Sequence, residues 1–199
     1  MGDDYELGVG EAAFYGPKLD FMAKDALGRE FQVATIQLDF NQPEGFDLNC
    51  TNEGGASERI VMIHCAIMGS IDRFLSILIE HTAGKFPLWL SPVQVQLITV
   101  NATDEMLAYA TGVASDMKGQ GLRVEVDSSN ESVGKKIRAS ELAKVPYAIV
   151  LGDKEKTSNK VTPRIRKDLV AGEPVEYSMA DFIKTVAHEA KSRTSKSSL

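Results

Sequence analysis

"VQVQLITV", residues 93–100, decides the fold. The run is short, apolar on alternate positions and preceded by Pro92, so it reads as a strand. The pattern continues downstream. A helix runs from about Thr103 to Lys118, "LRVEVD" (122–127) is a strand, a helix runs from about Ser132 to Ala143, and "YAIVLG" (147–152) is a strand. A further strand, "KVTPRIR" (160–166), precedes a last helix that opens with "SMAD" (178–181). There Ser178 is the N-cap, Asp181 stands three residues on, and Met179, Phe182, Ile183 and Val186 form the apolar stripe. Strands alternating with helices imply a mainly parallel sheet with helices packed on it, an α/β fold. The polar tail "KSRTSKSSL" (191–199) is expected to be disordered.

Upstream the pattern differs. "KFPLWLSP" (85–92) brackets an extended segment between two prolines and holds the only tryptophan, so it marks a boundary between residues 1–90 and 91–199. Before it, "KLDFMAKD" (18–25) and "REFQVATIQLDF" (29–40) read as a hairpin joined through Leu27-Gly28. Residues 41–58, with Gly, Pro and Asn throughout, read as a long loop. In "VMIHCAIMGSIDRF" (61–74), Met62, His64 and Ala66 alternate as in a strand. Ile71, Phe74, Leu75, Leu78 and Ile79 then make a helical stripe with Ser70 at its N-cap. Arg73 falls in the first turn, where the helix dipole favours an acid, so an anion arriving there would explain it.

The 199 residues carry 28 acids against 22 Lys and Arg, a net charge of −6, which argues against a general nucleic-acid binder. The charge is divided unevenly: residues 1–60 hold 12 acids and 4 bases, residues 131–168 hold 10 bases and 5 acids. A basic stripe in an acidic chain is the footprint of a phosphate contact. Single charges such as Lys135, Lys136 and Lys144 read as solvated helix or turn surface. No stretch approaches a membrane span, and "MGDDYELGVG" (1–10) has the form of neither a secretory signal nor a myristoylation site. Two cysteines, Cys50 and Cys65, make no disulfide framework, which suits a reducing cytoplasm.

Five segments together resemble the C-terminal portion of the threonyl-tRNA synthetases, which are class II enzymes. They are "GEAAFYGPKLDF" (10–21), "TIQLDF" (35–40), "MIHCAIMGSIDRF" (62–74), "SPVQV" (91–95) and "KIRASELAKVPYAIVLGDKE" (136–155). The resemblance implies that residues 1–90 are an antiparallel remnant of the class II catalytic core with motif 3, and that residues 91–199 are an anticodon-binding domain. It implies partners ATP with magnesium, threonine and threonine tRNA, with carboxylate attack on the ATP α-phosphorus followed by acyl transfer to the tRNA. It also implies a homodimer and no DNA or membrane partner.

Residue by residue, "GSIDRF" is similar to the end of motif 3, which places Arg73 at the ATP phosphates and Ser70 beside the nucleotide. Gln32 and Thr35 match positions near ATP, Gln37 and Tyr15 positions near threonine, and Lys18 a lysine near phosphate. Gln32 has the wrong parity to share a strand face with Thr35 and Gln37 unless a bulge intervenes. Ala34 replaces the family's usual glycine and would crowd the nucleotide's approach. His64 matches the third zinc ligand, and Cys65 points to the other face. Asn130, Arg138, Lys154, Glu155 and Arg164 fall at positions that face anticodon bases, and Ser132 stands where a lysine is common. Motifs 1 and 2 and the first two zinc ligands are not found in the sequence. Two other readings follow: a non-catalytic tRNA- or protein-binding module, or one chain of a split synthetase. "GDKEKTSNK" (152–160), with one glycine, is a weak phosphate-turn signal.

Overall fold

The computed structural model describes residues 5–170 and 175–199. The chain divides into two compact units, the first ending at Ala83 and the second spanning Gly84–Leu199.

In the first unit β1 (Lys18–Lys24) and β2 (Glu30–Asp39) pair antiparallel. The Asp25 carboxylate accepts the Leu27 and Arg29 N–H groups and closes the hairpin turn. Residues 41–58 are not the continuous loop expected. They form α1 (Gln42–Gly45), begun by Pro43, and a small hairpin of β3 (Asn49–Thr51) and β4 (Ser57–Arg59). The Asn52 side chain accepts the Gly54 and Ala56 N–H groups in that hairpin's turn. β5 (Met62–Ala66) joins the far side of β2, giving the order β1-β2-β5, and α2 (Ile71–Thr82) follows.

Among its described residues this unit buries no large apolar side chain; its buried residues are Thr35, Asp39 and Pro43. Phe21, Ile36 and Ile63, on one face of the sheet by register, are 46%, 36% and 64% exposed. On α2 the stripe expected to be buried leaves Ile71, Leu75 and Ile79 in solvent.

The second unit carries the core. A 3₁₀ turn (Leu88–Leu90) leads into β6 (Val95–Thr99), α3 (Asp104–Gly119), β7 (Val124–Asp127), α4 (Val133–Leu142) and β8 (Tyr147–Leu151). β6 lies between β7 and β8, parallel to both. The α3 residues Met106, Ala110 and Met117 pack with Leu97, Ile149 and Leu151 of the sheet. Thr103 and Ser132 cap α3 and α4 by accepting backbone N–H groups three residues on.

Past β8 the expected strand over 160–166 is broken by Thr162-Pro163. After α5 (Asp153–Ser158) come β9 (Lys160–Val161) and β10 (Arg164–Ile165), with different partners. β10 extends the main sheet beside β8, whereas β9 pairs with β11 (Tyr177–Ser178). α6 (Met179–Ser192) opens as expected, with Ser178 accepting the Asp181 N–H, and it buries Met179, Phe182 and Val186.

The tail, expected to be disordered, is tied down. Ser198 donates its backbone N–H (2.5 Å) and its hydroxyl (2.7 Å) to Glu189, and the Ser197 N–H donates to the Leu169 carbonyl at 2.9 Å. Two buried polar groups explain this, as composition alone could not. Glu189 and Tyr147 are 2% and 0% exposed, and the Tyr147 hydroxyl donates to Glu189 at 2.5 Å. A buried carboxylate needs donors, and the tail supplies them.

Candidate functional site

The antiparallel sheet gathers polar residues on one face. Register sets Lys18, Gln37 and His64 opposite one another across β1, β2 and β5, and Asp20 opposite Thr35. Gln32 has the other parity, but β2 carries a bulge at Val33: Phe21 pairs with Ala34 and Met22 with Gln32. The extra residue turns Gln32 onto the Thr35 face, and its amide donates to the Thr35 hydroxyl and, at 2.7 Å, to Asp20. Ala34 stands on the opposite face by register, so its methyl does not crowd Thr35.

Asp20 organises this group. It pairs with Lys18 at 2.6 Å and accepts the Thr35 hydroxyl at 2.8 Å. The Lys18 hydrogen bond holds the Asp20 carboxyl below the usual carboxylate range, and the same bond raises the Lys18 ammonium. The segment holding Tyr15 and Lys18 runs alongside β2, with the Phe40 N–H donating to the Tyr15 carbonyl and the Leu38 N–H to the Pro17 carbonyl, both at 3.0 Å. That approach is so close that a Cβ at Gly16 would sit 2.3 Å from the Leu38 oxygen. The Tyr15 and His64 rings meet edge-on, centroids 6.1 Å apart.

α2 brings the cation. Gly69, in the left-handed region at φ +55°, packs against the Val33 carbonyl and turns the chain into the helix. Ser70 takes the N-cap position but makes no side-chain cap. Arg73 donates to the Gln32 carbonyl at 3.3 Å, which sets the guanidinium beside the bulge. A helix N-terminus, a guanidinium and a polar sheet face together suit an anionic ligand.

Asp39 and Asp20 complete this face and carry no motif of their own. Both sit at strand positions with apolar neighbours, and only parity points to them, Asp39 with Thr35 and Gln37 on β2 and Asp20 with Lys18 on β1. Asp39 is buried, which by itself raises its carboxyl. The Gln42 and Asn41 N–H groups and His64 outweigh burial and leave it below the ordinary range. Its second oxygen meets His64 Nε2 at 2.8 Å. Among the described residues no three His, Cys, Asp or Glu side chains are placed to hold a metal ion. The residues present therefore do not fit a zinc centre, and Asp39 engages His64 instead.

In the second unit Asn130 follows β7 and Lys154 and Glu155 follow β8, so all three lie at the C-terminal edge of the parallel sheet. Gly152, at the start of α5, packs against Val100 after β6, which places this edge where the connection from β6 leaves toward β7 and that from β8 toward β10. Arg138 lies two turns along α4, exposed, and Arg164 pairs with Ala148 near the start of β8, so these two sit lower on the domain. Glu155 is partly spent on structure: its carboxylate accepts the Gly152 N–H at 3.0 Å and caps α5. The "GDKEKTSNK" segment is thus mostly helix.

The basic stripe over 131–168 is also largely committed. Lys135, Lys154, Lys156, Lys160 and Arg166 pair with carboxylates. Lys136 is not surface charge; it is 3% exposed and donates to the Thr99 and Asp127 carbonyls at 3.0 and 3.3 Å.

Two family models match. Residues 5–82 match the class II tRNA synthetase core domain of the G, H, P, S and T enzymes, and residues 94–189 match the anticodon binding domain. A threonine–tRNA ligase of Clostridium tetani is 48% identical over 192 residues, 96% of this chain and 29% of that protein. One of Pelobacter propionicus is 50% identical over the same shares. The crystal structure of the RNA binding domain of threonyl-tRNA synthetase from Cryptosporidium parvum superposes with a TM-score of 0.76 at 37% identity, covering 90% of this chain and 44% of that one. The chain spans under a third of the length of the curated relatives it matches.

Proposed function

Because the chain belongs to the threonyl-tRNA synthetase family and covers its C-terminal portion, we propose that it supplies motif 3 and anticodon recognition to threonine–tRNA ligation. The observation that supports this most is the single polar face on which Lys18, Gln32, Thr35, Gln37 and His64 meet, with Arg73 beside it. A free-standing binding module would have no use for that face.

In this reading residues 1–90 are the end of the catalytic core and residues 91–199 the anticodon-binding domain. Arg73 neutralises the ATP phosphates, with Ser70, Gln32 and Thr35 beside the nucleotide and Lys18 held by Asp20 near phosphate. Tyr15 and Gln37 face threonine. His64 lies on the same face, engaged by Asp39. Asn130, Arg138, Lys154, Glu155 and Arg164 contact the anticodon arm, in the cytoplasm. Electrostatic stabilisation of adenylate formation needs several groups converging at once, more than one arginine supplies. The chain alone is therefore inactive in aminoacylation and gains activity with the rest of the core, whether from a longer polypeptide or a split partner. The exposed apolar surface of the first unit favours such completion.

The test is binding of the purified chain to threonine tRNA and to a copy with one anticodon base changed, at one fixed salt concentration. Discrimination of about ten-fold, ~1.4 kcal/mol, is expected. Equal binding to both that vanishes with added salt would refute the anticodon role.

A further inference from the structure

A groove of about 480 Å³ opens at the end of the second unit opposite the edge that holds Asn130, Lys154 and Glu155. Its floor is Gly121–Arg123, just before β7, and Gln94, just before β6. One wall is a face of α6 on which Lys184, Ala187, His188 and Lys191 recur at helical spacing. The other wall is Trp89, on the 3₁₀ turn, with the Arg193 guanidinium 5.3 Å above its ring.

Three features set this groove apart. No Asp or Glu lines it, in a chain of net charge −6. Among the described residues, Lys184, Lys191 and Arg193 have no ion-pair partner, whereas half of the bases in the stripe over 131–168 do. And its aromatic ring is already stacked with a guanidinium, the arrangement that single-stranded nucleic acid uses for its bases. Arg123 is fixed in place by donating to the Ser91 and Trp89 carbonyls, both at 2.9 Å, which holds the tryptophan wall and the floor as one piece.

We infer that this groove is a second, sequence-independent RNA contact, in which the cations hold phosphodiester groups and Trp89 stacks on a base. An acidic peptide would match the charge but would leave the ring unused. The inference rests on the RNA-binding reading of this unit and extends it to the other end of the sheet. β6 separates the two surfaces by roughly 13 Å of strand, so one RNA can reach both.

The test uses the whole chain, the K184Q/K191Q double variant and three probes: threonine tRNA, a twelve-residue oligouridylate and an oligoglutamate of equal charge. Both substitutions lie on an exposed helix face and leave folding intact, checked by circular dichroism. Trp89 is the only tryptophan, so its fluorescence reports the groove directly. Quenching by oligouridylate is expected in the parent chain and a loss of quenching in the variant. The slope of log Kd against log salt for tRNA should fall by about 1.5, at roughly 0.7–0.9 per phosphate contact, with anticodon discrimination unchanged. Unchanged slope and fluorescence with discrimination intact would overturn the groove alone. Equal quenching by oligoglutamate would overturn it in favour of an acidic polypeptide. No tRNA binding by the parent chain would overturn both readings.

Discussion

Replacing Tyr147 by Phe tests the internal clasp of the second unit. The hydroxyl is fully buried, donates to Glu189 at 2.5 Å and lies 2.7 Å from the Ser197 hydroxyl. The ring itself packs edge-on against Phe182, centroids 5.7 Å apart, and stays in the variant. What is lost is one hydrogen bond to a buried carboxylate, worth ~1.5–3 kcal/mol. At roughly 4 °C per kcal/mol for a domain of this size, the melting point should fall by about 6–12 °C. Deleting residues 197–199 removes the Ser198 donors to the same carboxylate and should cost a similar amount. Combining the two should cost less or more than the sum, because both act on Glu189. The assay is calorimetry on the chain, following the second transition if the units melt separately. A Tyr147→Phe variant that melts within about 2 °C of the parent would show that Glu189 finds other donors, and the clasp would be refuted.

Three further outcomes follow from the structure. Burial and the Glu189 carboxylate push the Tyr147 hydroxyl far above the usual tyrosine value of 10.0. Its contribution is therefore present below pH 10 and is lost as the pH climbs above it, so alkaline titration should destabilise the parent chain more steeply than Tyr147→Phe. Lys136→Met keeps the length of the side chain but strips a donor from the Thr99 and Asp127 carbonyls, and should cost ~1–3 kcal/mol by denaturant melting; an unchanged midpoint would contradict it. Ile36→Lys with Ile63→Glu should lower self-association in sedimentation, since both residues lie exposed on one apolar sheet face; a parent chain that is already monomeric would contradict this.

The β-α-β-α-β rhythm is legible because its strands are apolar runs and its helices are long and capped by Thr103 and Ser132. Short elements with no such pattern are not legible. α1, the β3–β4 hairpin, α5 and β9 are set by turn chemistry and by partners distant in sequence. The polar face of the first unit was partly legible: parity joined Thr35 to Gln37, and the need for a bulge at Gln32 could be stated, but not where it lies. Charge misled most. Half of the bases over 131–168 are paired with carboxylates and Lys136 is a buried strut, while Arg123 meets the cations at 184, 191 and 193 only when α6 packs.

The bulge at Val33 also bears on how this sheet can be altered. Upstream of it β2 presents its even-numbered residues to the polar face, and downstream its odd-numbered ones. Drawing Val33 into the ladder would send Gln32 and everything before it to the wrong side, whereas deleting Val33 would leave an ideal ladder with Gln32 still opposite Met22. An engineer transplanting residues 32–35 intact onto a regular hairpin would therefore lose either Gln32 or Thr35, and would keep both by leaving Val33 out. At their native spacing the two residues share a face only because the ladder is irregular between them.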